Sequence, residues 1–272
     1  MAKLPRLVAF DIDGTLLDST GQLSPGTRAC LEAASGLGVT IMLASGRPVA
    51  GLRHQMRRLG IPAEGVILVG SNGAQVEDAA GGQVVDRARL PAALALPVYR
   101  VVRDLPVIAM VPDEDRLVVE DALLPIVEHE IAANGLRLEL VDDLSRARPD
   151  PPKILVAGVP EVLTRWAPTV AAAAPEAETC FSAPYYFEVN APGVTKGRAL
   201  IRQCARLGIS PADTVAFGDN GNDIALLRAA GTGVAMGNAI PQAKAAADVV
   251  TADNDHEGIA AVLAPMLGIV RV

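Results

Sequence analysis

Leu7-Val8-Ala9-Phe10-Asp11-Ile12-Asp13-Gly14-Thr15-Leu16 is the stretch on which the fold turns. A short apolar run reads as a β-strand covered on both faces, and the small-residue loop that stops it carries two carboxylates. Ser24-Pro25 then opens a helix reaching about Leu37, since serine caps a helix and proline suits its first turn. The unit comes again. Val39 to Ala44 is a second apolar strand ending at Ser45-Gly46-Arg47-Pro48, and Val49, Leu52, Met56 and Leu59 mark one stripe of the helix that follows. Val66 to Val69 is a third strand, ending at Gly70-Ser71-Asn72-Gly73.

Strands alternating with helices imply a parallel sheet with its loops collected at the C-terminal edge. Beyond Asn72 the texture changes. Ala74–Glu77 and Gln83–Asp86 flank a Gly-containing turn as a hairpin, and from about Arg87 the rhythm is lost. Strands are predicted at 107–111, 117–119, 136–141 and 154–159, with helices near 121–134 and 160–174. The first pattern returns with a helix over Lys196–Leu207, the strand Thr214–Phe217 before Gly218-Asp219, a helix from about Asp223 to Ala230 and a last one over Ile259–Leu267. The expected fold class is α/β: a doubly wound, Rossmann-like parallel-sheet core, residues 1–86 and 187–272, interrupted by an inserted α+β domain over 87–186.

At roughly 150 residues per domain, 272 residues give about 1.8 domains, in keeping with that division. With 50% hydrophobic and 20% charged residues the chain is globular, and a net charge of −7 offers a polyphosphate no broad footprint. Aromatics at 3% offer no base-stacking surface either, so no nucleic-acid partner is expected. No uncharged, mainly apolar stretch reaches eighteen residues and the N-terminal apolar run is too short for a signal peptide, so no membrane span and a cytoplasmic location are expected. Cys30, Cys180 and Cys204 are odd in number and far apart, and are read as reduced.

Chemistry enters with the polar clusters that follow the strands: Asp11 and Asp13, Ser45, and Asp219 with Asn222 and Asp223. Lys196 stands instead at a helix start. In a doubly wound sheet such strand ends converge on one crevice. Carboxylates a few ångströms apart repel by about 4 kcal/mol per pair at an effective dielectric near 20, and one lysine cannot neutralise four. A divalent cation is required, and hard oxygen ligands suit Mg²⁺. Asp11 is then placed to attack phosphorus, Asp13 to protonate the leaving alcohol and deprotonate water, and Ser45, nearby backbone N–H groups and Lys196 to bind phosphoryl oxygens. Asp219 and Asp223 complete the metal shell.

Asp11-Ile-Asp-Gly-Thr-Leu16, Ser45-Gly46, Lys196-Gly197 and Gly218-Asp219-Asn-Gly-Asn222-Asp223 resemble, in order, the four motifs of the haloacid dehalogenase-like superfamily. The insert, with Ser71-Asn-Gly-Ala74 and Gly193-Val-Thr-Lys-Gly197, is similar to its Cof-type, type IIB branch. The resemblance covers nearly the whole chain and implies a Mg²⁺-dependent phosphatase of small phosphate esters, with the insert as a cap that chooses the substrate. By motif, Asp11 is the nucleophile and Asp13 the acid–base. Ser45, Gly46, Lys196 and Asn222 bind phosphate. Asp11, the Asp13 carbonyl, Asp219 and Asp223 face the metal, Asp223 through water.

Simpler readings stand beside these. Asp11 and Asp13 also suit a strand-ending turn, and Asp219 and Asp223 an acidic first helical turn. Arg47 is divided between holding phosphate and pairing with a cap carboxylate, and Asn72 more simply shapes a turn. Tyr186 belongs by default to a packed Tyr185-Tyr186-Phe187 cluster, with substrate contact as the alternative, and Glu188 and Asn190 share that ambiguity. The substrate classes left open are sugar phosphates, flavin mononucleotide, pyridoxal phosphate and nucleotide monophosphates. A phosphomutase would use the same Asp11 chemistry, and a phospho-acceptor signalling module would leave the Asp-x-Asp spacing and the insert unexplained.

Overall fold

The computed structural model describes residues 3–269. The chain opens with β1 (Leu7–Phe10), α1 (Pro25–Gly36), β2 (Thr40–Ala44), α2 (Val49–Leu59), β3 (Val66–Gly70) and the hairpin of β4 (Gln75–Asp78) and β5 (Val84–Arg87). The insert follows as α3 (Ala92–Val102), β6 (Ile108–Asp113), β7 (Arg116–Val119), α4 (Pro125–Asn134), β8 (Arg137–Leu140), α5 (Leu144–Ala147), β9 (Lys153–Ala157), α6 (Pro160–Ala173), β10 (Glu178–Ala183) and β11 (Tyr186–Asn190). The return runs through α7 (Lys196–Leu207), β12 (Thr214–Gly218), α8 (Ile224–Ala229), β13 (Thr232–Ala235), α9 (Pro241–Ala246), β14 (Val249–Val250) and α10 (Gly258–Met266).

The first sheet has the order β14-β13-β12-β1-β2-β3-β4-β5, parallel from β14 to β3 and antiparallel through the hairpin. Period-two alternation divides its strands between two layers. Val8, Phe10, Ile41 and Leu43 face Cys30, Leu52 and Leu263 of α1, α2 and α10, whereas Leu7, Ala9, Met42 and Ala44 face Leu200 and Leu226 of α7 and α8. From β1 the chain winds outward to β2 and β3, and from the adjacent β12 outward the other way to β13 and β14. The crevice at such a reversal lies at the C-terminal ends of β1 and β12, where Asp11 and Asp219 stand. The α/β core expected from the sequence is therefore present.

The second sheet has the order β10-β11-β9-β6-β7-β8. One face packs on α3 and α6 through Val98, Val102, Leu163 and Val170, and the other carries Met110, Leu155 and Tyr186 against Val127 of α4. Strand β11 runs antiparallel to β9 and β10, so the limit read between residues 186 and 187 falls at the first residue of a strand of this sheet. We propose that the insert extends to Asn190. The strand escaped the sequence reading because Glu188 and Asn190 interrupt its apolar run, although both are buried. Helix α3 escaped because Pro97 lies inside it.

Candidate active site

The first strand ends where the site begins. The Asp11 amide donates to the Phe217 carbonyl at 3.0 Å, which ties the loop after β1 to β12. Gly14 has a φ of +77°, and a Cβ there would come within 2.7 Å of Asp219 Oδ2, so the residue after Asp13 must be glycine for the two loops to meet. Thr15 Oγ1 donates to Asp219 Oδ1 at 2.6 Å across the same junction.

Lys196 opens α7, whose cap is Thr195, and is fully buried. Its Nζ donates to Asp11 Oδ1 and to Asp223 Oδ1, both at 2.6 Å. The other oxygen of Asp223 accepts the amides of Asp219 and Asn220, each at 3.0 Å. Asp11, Asp219 and Asp223 thus bring carboxylate oxygens within 4.8 Å of one another. Against these three carboxylates stands one ammonium. Burial, then Asp223, raises Asp11 well above the usual carboxylate range despite Lys196, and the same two causes push Asp219 up to about 6. For Lys196 burial opposes the charge, but Asp11 and Asp223 outweigh it and hold the ammonium protonated. A buried cluster with two uncompensated negative charges and only hard oxygen donors fits a divalent cation.

Asp13 turns the other way. Its side chain is half exposed and takes a two-point clasp from Arg47, Nε to Oδ2 and Nη2 to Oδ1, both at 2.7 Å. Arg47 Nη1 also donates to the Ala133 carbonyl and to Asn134 Oδ1, at 2.8 and 2.9 Å, so one guanidinium joins the core loop to the C-terminal turn of α4. The Asp13 carboxylate is not one of the three that converge. Ser45 is buried in its loop, its Oγ accepting the Arg47 amide at 3.2 Å and its carbonyl accepting the Asn72 amide at 2.9 Å.

Behind Ser45 lies a buried ion pair. Lys153 Nζ donates to Glu188 Oε2 at 2.6 Å and to the Gly46 carbonyl at 2.7 Å. A Cβ on Gly46 would stand 2.5 Å from Glu188 Oε1, so only glycine lets that carboxylate approach. Asn72 Nδ2 donates to Glu188 Oε2 at 2.8 Å, and Asn222 Nδ2 to Asn72 Oδ1 at 3.2 Å. This leaves Asn222 Oδ1 buried without a partner. One of the two N–H donors of the Asn222 amide is thus spent on Asn72, and the second is not.

Asp11, Asp13, Ser45, Gly46, Arg47, Tyr186, Glu188 and Asn222 all line one cavity of about 300 Å³ between the sheets. Lys196, Asp219, Asp223 and Asn72 stand behind its wall and reach it through Asp11 and Asn222. Glu130, Lys153, Tyr185 and His129 also line it, and the sequence reading did not single out Glu130 or Lys153. Lysine at the head of the otherwise apolar strand Lys153-Ile-Leu-Val-Ala157 was a signal, because a lysine buried there needs an acid. Glu130 gave none.

The family model for haloacid dehalogenase-like hydrolases matches residues 8–263. The HMP-PP phosphatase of Shigella flexneri serotype 5b (strain 8401) is 32% identical over 244 residues, spanning 89% of this chain and 88% of that protein. A haloacid dehalogenase-like hydrolase from Bacteroides thetaiotaomicron superposes with a TM-score of 0.83 at 27% identity, over 98% of this chain and 100% of the other. The subclass IIB sugar phosphatase BT4131 superposes with a TM-score of 0.82 at 27% identity, over 97% and 100%. Four motifs in order, converging on one crevice beneath an inserted sheet, and a match along nearly the whole length agree: the chain is an enzyme of the haloacid dehalogenase-like hydrolase family, of its Cof-type, subclass IIB branch.

Proposed function

We propose that this enzyme is a Mg²⁺-dependent phosphatase that hydrolyses small phosphate monoesters through an aspartyl phosphate on Asp11. The observation that carries the reading is Asp11 itself, on the wall of the cavity between the two sheets, its carboxylate fixed by Lys196 at 2.6 Å beside two further buried carboxylates. Asp11, Asp219 and Asp223 would hold the cation, which supplies charge neutralisation for an incoming phosphoryl group.

The Asp11 carboxylate attacks phosphorus while Lys196 keeps it oriented, and the positive charges of Lys196 and of a bound cation would favour its ionised form. Asp13, two residues on and in the same cavity, gives a proton to the departing alkoxide. Arg47 must then slacken its clasp on Asp13, and an entering phosphoryl oxygen is the competing anion that draws the guanidinium across. In the second half Asp13 takes a proton from water, which attacks the aspartyl phosphate and frees phosphate. The Ser45 hydroxyl, beside Asp13 and Arg47 in the cavity wall, donates to a phosphoryl oxygen. The insert acts as the cap that sets which alcohol fits. The names of the relatives, an HMP-PP phosphatase and a sugar phosphatase, support a small metabolite as the substrate.

A screen of phosphorylated metabolites for phosphate release, with Mg²⁺ and with excess chelator, tests the reading. Release that needs Mg²⁺, with label from the substrate recovered on Asp11, supports it. Full activity in chelator, or no label on Asp11, overturns it.

A further inference from the structure

The cavity wall carries four carboxylates, and three of them have a cation in contact: Asp11 has Lys196, Asp13 has Arg47 and Glu188 has Lys153. Glu130 is the exception. It lies on α4, is only 6% exposed, and receives two neutral donors, the Tyr186 hydroxyl on Oε2 at 2.9 Å and the Asn134 amide on Oε1 at 2.8 Å. An ionised carboxylate has about four acceptor sites, so about two remain for whatever enters the cavity. Arg47 and Lys153, the cations nearby, make their hydrogen bonds elsewhere, to Asp13 and the end of α4 and to Gly46 and Glu188. Burial raises the Glu130 pKa, with the charge of Lys153 acting in the opposite sense, as expected of an acid without a direct counter-ion. His129 and Tyr185, which meet edge to face with centroids 6.3 Å apart, line the same cavity with Leu155 and Ala183.

We infer that Glu130 is a specificity-determining residue, selecting phosphate esters whose alcohol carries a basic amine over the same alcohol without it. The inference rests on the phosphatase reading in one respect: phosphate at Asp11 puts the alcohol beneath α4. A hydroxyl would supply a hydrogen bond to Glu130. An amine supplies the hydrogen bond and the missing charge, and contacts with an ionised partner are roughly twice as strong as neutral ones.

Binding and turnover separate the two ideas. Asp11→Asn, which cannot form the intermediate, is titrated calorimetrically with paired esters in Mg²⁺: glucosamine 6-phosphate against glucose 6-phosphate, and 2-aminoethyl phosphate against ethyl phosphate. At least one amine ester is expected to bind about tenfold or more tightly than its twin. That ratio should fall to near one when Glu130→Gln is added and survive in part when Glu130→Asp, which keeps the charge, is added instead. Equal affinities within both pairs, a ratio untouched by Glu130→Gln, or equal loss with Gln and Asp would overturn the assignment. Selective binding with no phosphate released by the unmodified enzyme would leave Glu130 as assigned and remove the phosphatase reading, and release with equal affinities would do the reverse.

Discussion

Asp11 and Asp13 are two residues apart and live in opposite surroundings. One is buried on a lysine, the other half exposed under an arginine. That difference suits a nucleophile that must not wander and an acid–base that must exchange protons with substrate and water. Asp11→Asn is expected to lower kcat by about 10³-fold or more, since a carboxamide does not form the covalent ester. Asp13→Asn should lose about 10²- to 10⁴-fold while still accumulating some label on Asp11. Rapid-quench measurement of labelled protein checks both, and normal turnover by Asp13→Asn would remove it from the mechanism. Asp11, Asp13, Ser45, Asp219 and Lys196 were legible in the sequence because each directly follows an apolar strand or opens a helix, so local pattern alone locates it at the sheet edge. Glu130 and Lys153 were not. Their approach to Asp11 is decided by how a second sheet sits over the first, and no short-range spacing encodes that.

At the scale of elements the junction is made by β11, whose two faces do different work. Phe187 and Val189 enter the apolar layer under α3 and α6, while Glu188 and Asn190 turn to the loops of the first sheet. The sequence showed the apolar half as an aromatic cluster and hid the strand, because polar side chains on a buried face look like exposed ones until their partners are known. Two substitutions test the junction. Lys153→Met removes one member of a pair whose side chains are 2% and 1% exposed, and should cost about 3–5 kcal/mol by stranding Glu188. Adding Glu188→Leu should recover much of that loss, read from urea denaturation, and a Lys153→Met protein as stable as the parent would mean the pair is not sustaining the interface. Gly46→Ala forces a methyl against Glu188 and should cost about 1–3 kcal/mol.

Across the whole molecule, fold class and the presence of an insert were readable from the periodicity of the strands, whereas the pairing of β11 with the second sheet, on which we propose a later end for the insert, was not. The three buried carboxylates also make stability a matter of ion supply. Saturating Mg²⁺ at about 100 times its Kd should stabilise the folded chain by about 2.7 kcal/mol, and Asp219→Asn should erase most of the gain in melting temperature. An equal melting temperature in Mg²⁺ and in chelator would argue against the ion. Among the described residues no helix is long and apolar enough to cross a membrane. The pairing of β1 with β12, Phe10 beside Phe217, has a consequence for how the enzyme is made. A ribosome adding roughly 5–20 residues per second needs about 10–40 s to cover the interval of some 200 residues between them. Through that time the first strand has emerged with one flank uncovered and Asp11 without Lys196. The nascent chain therefore passes through an inert and association-prone stage, and chaperone engagement should be strongest while the insert is being translated.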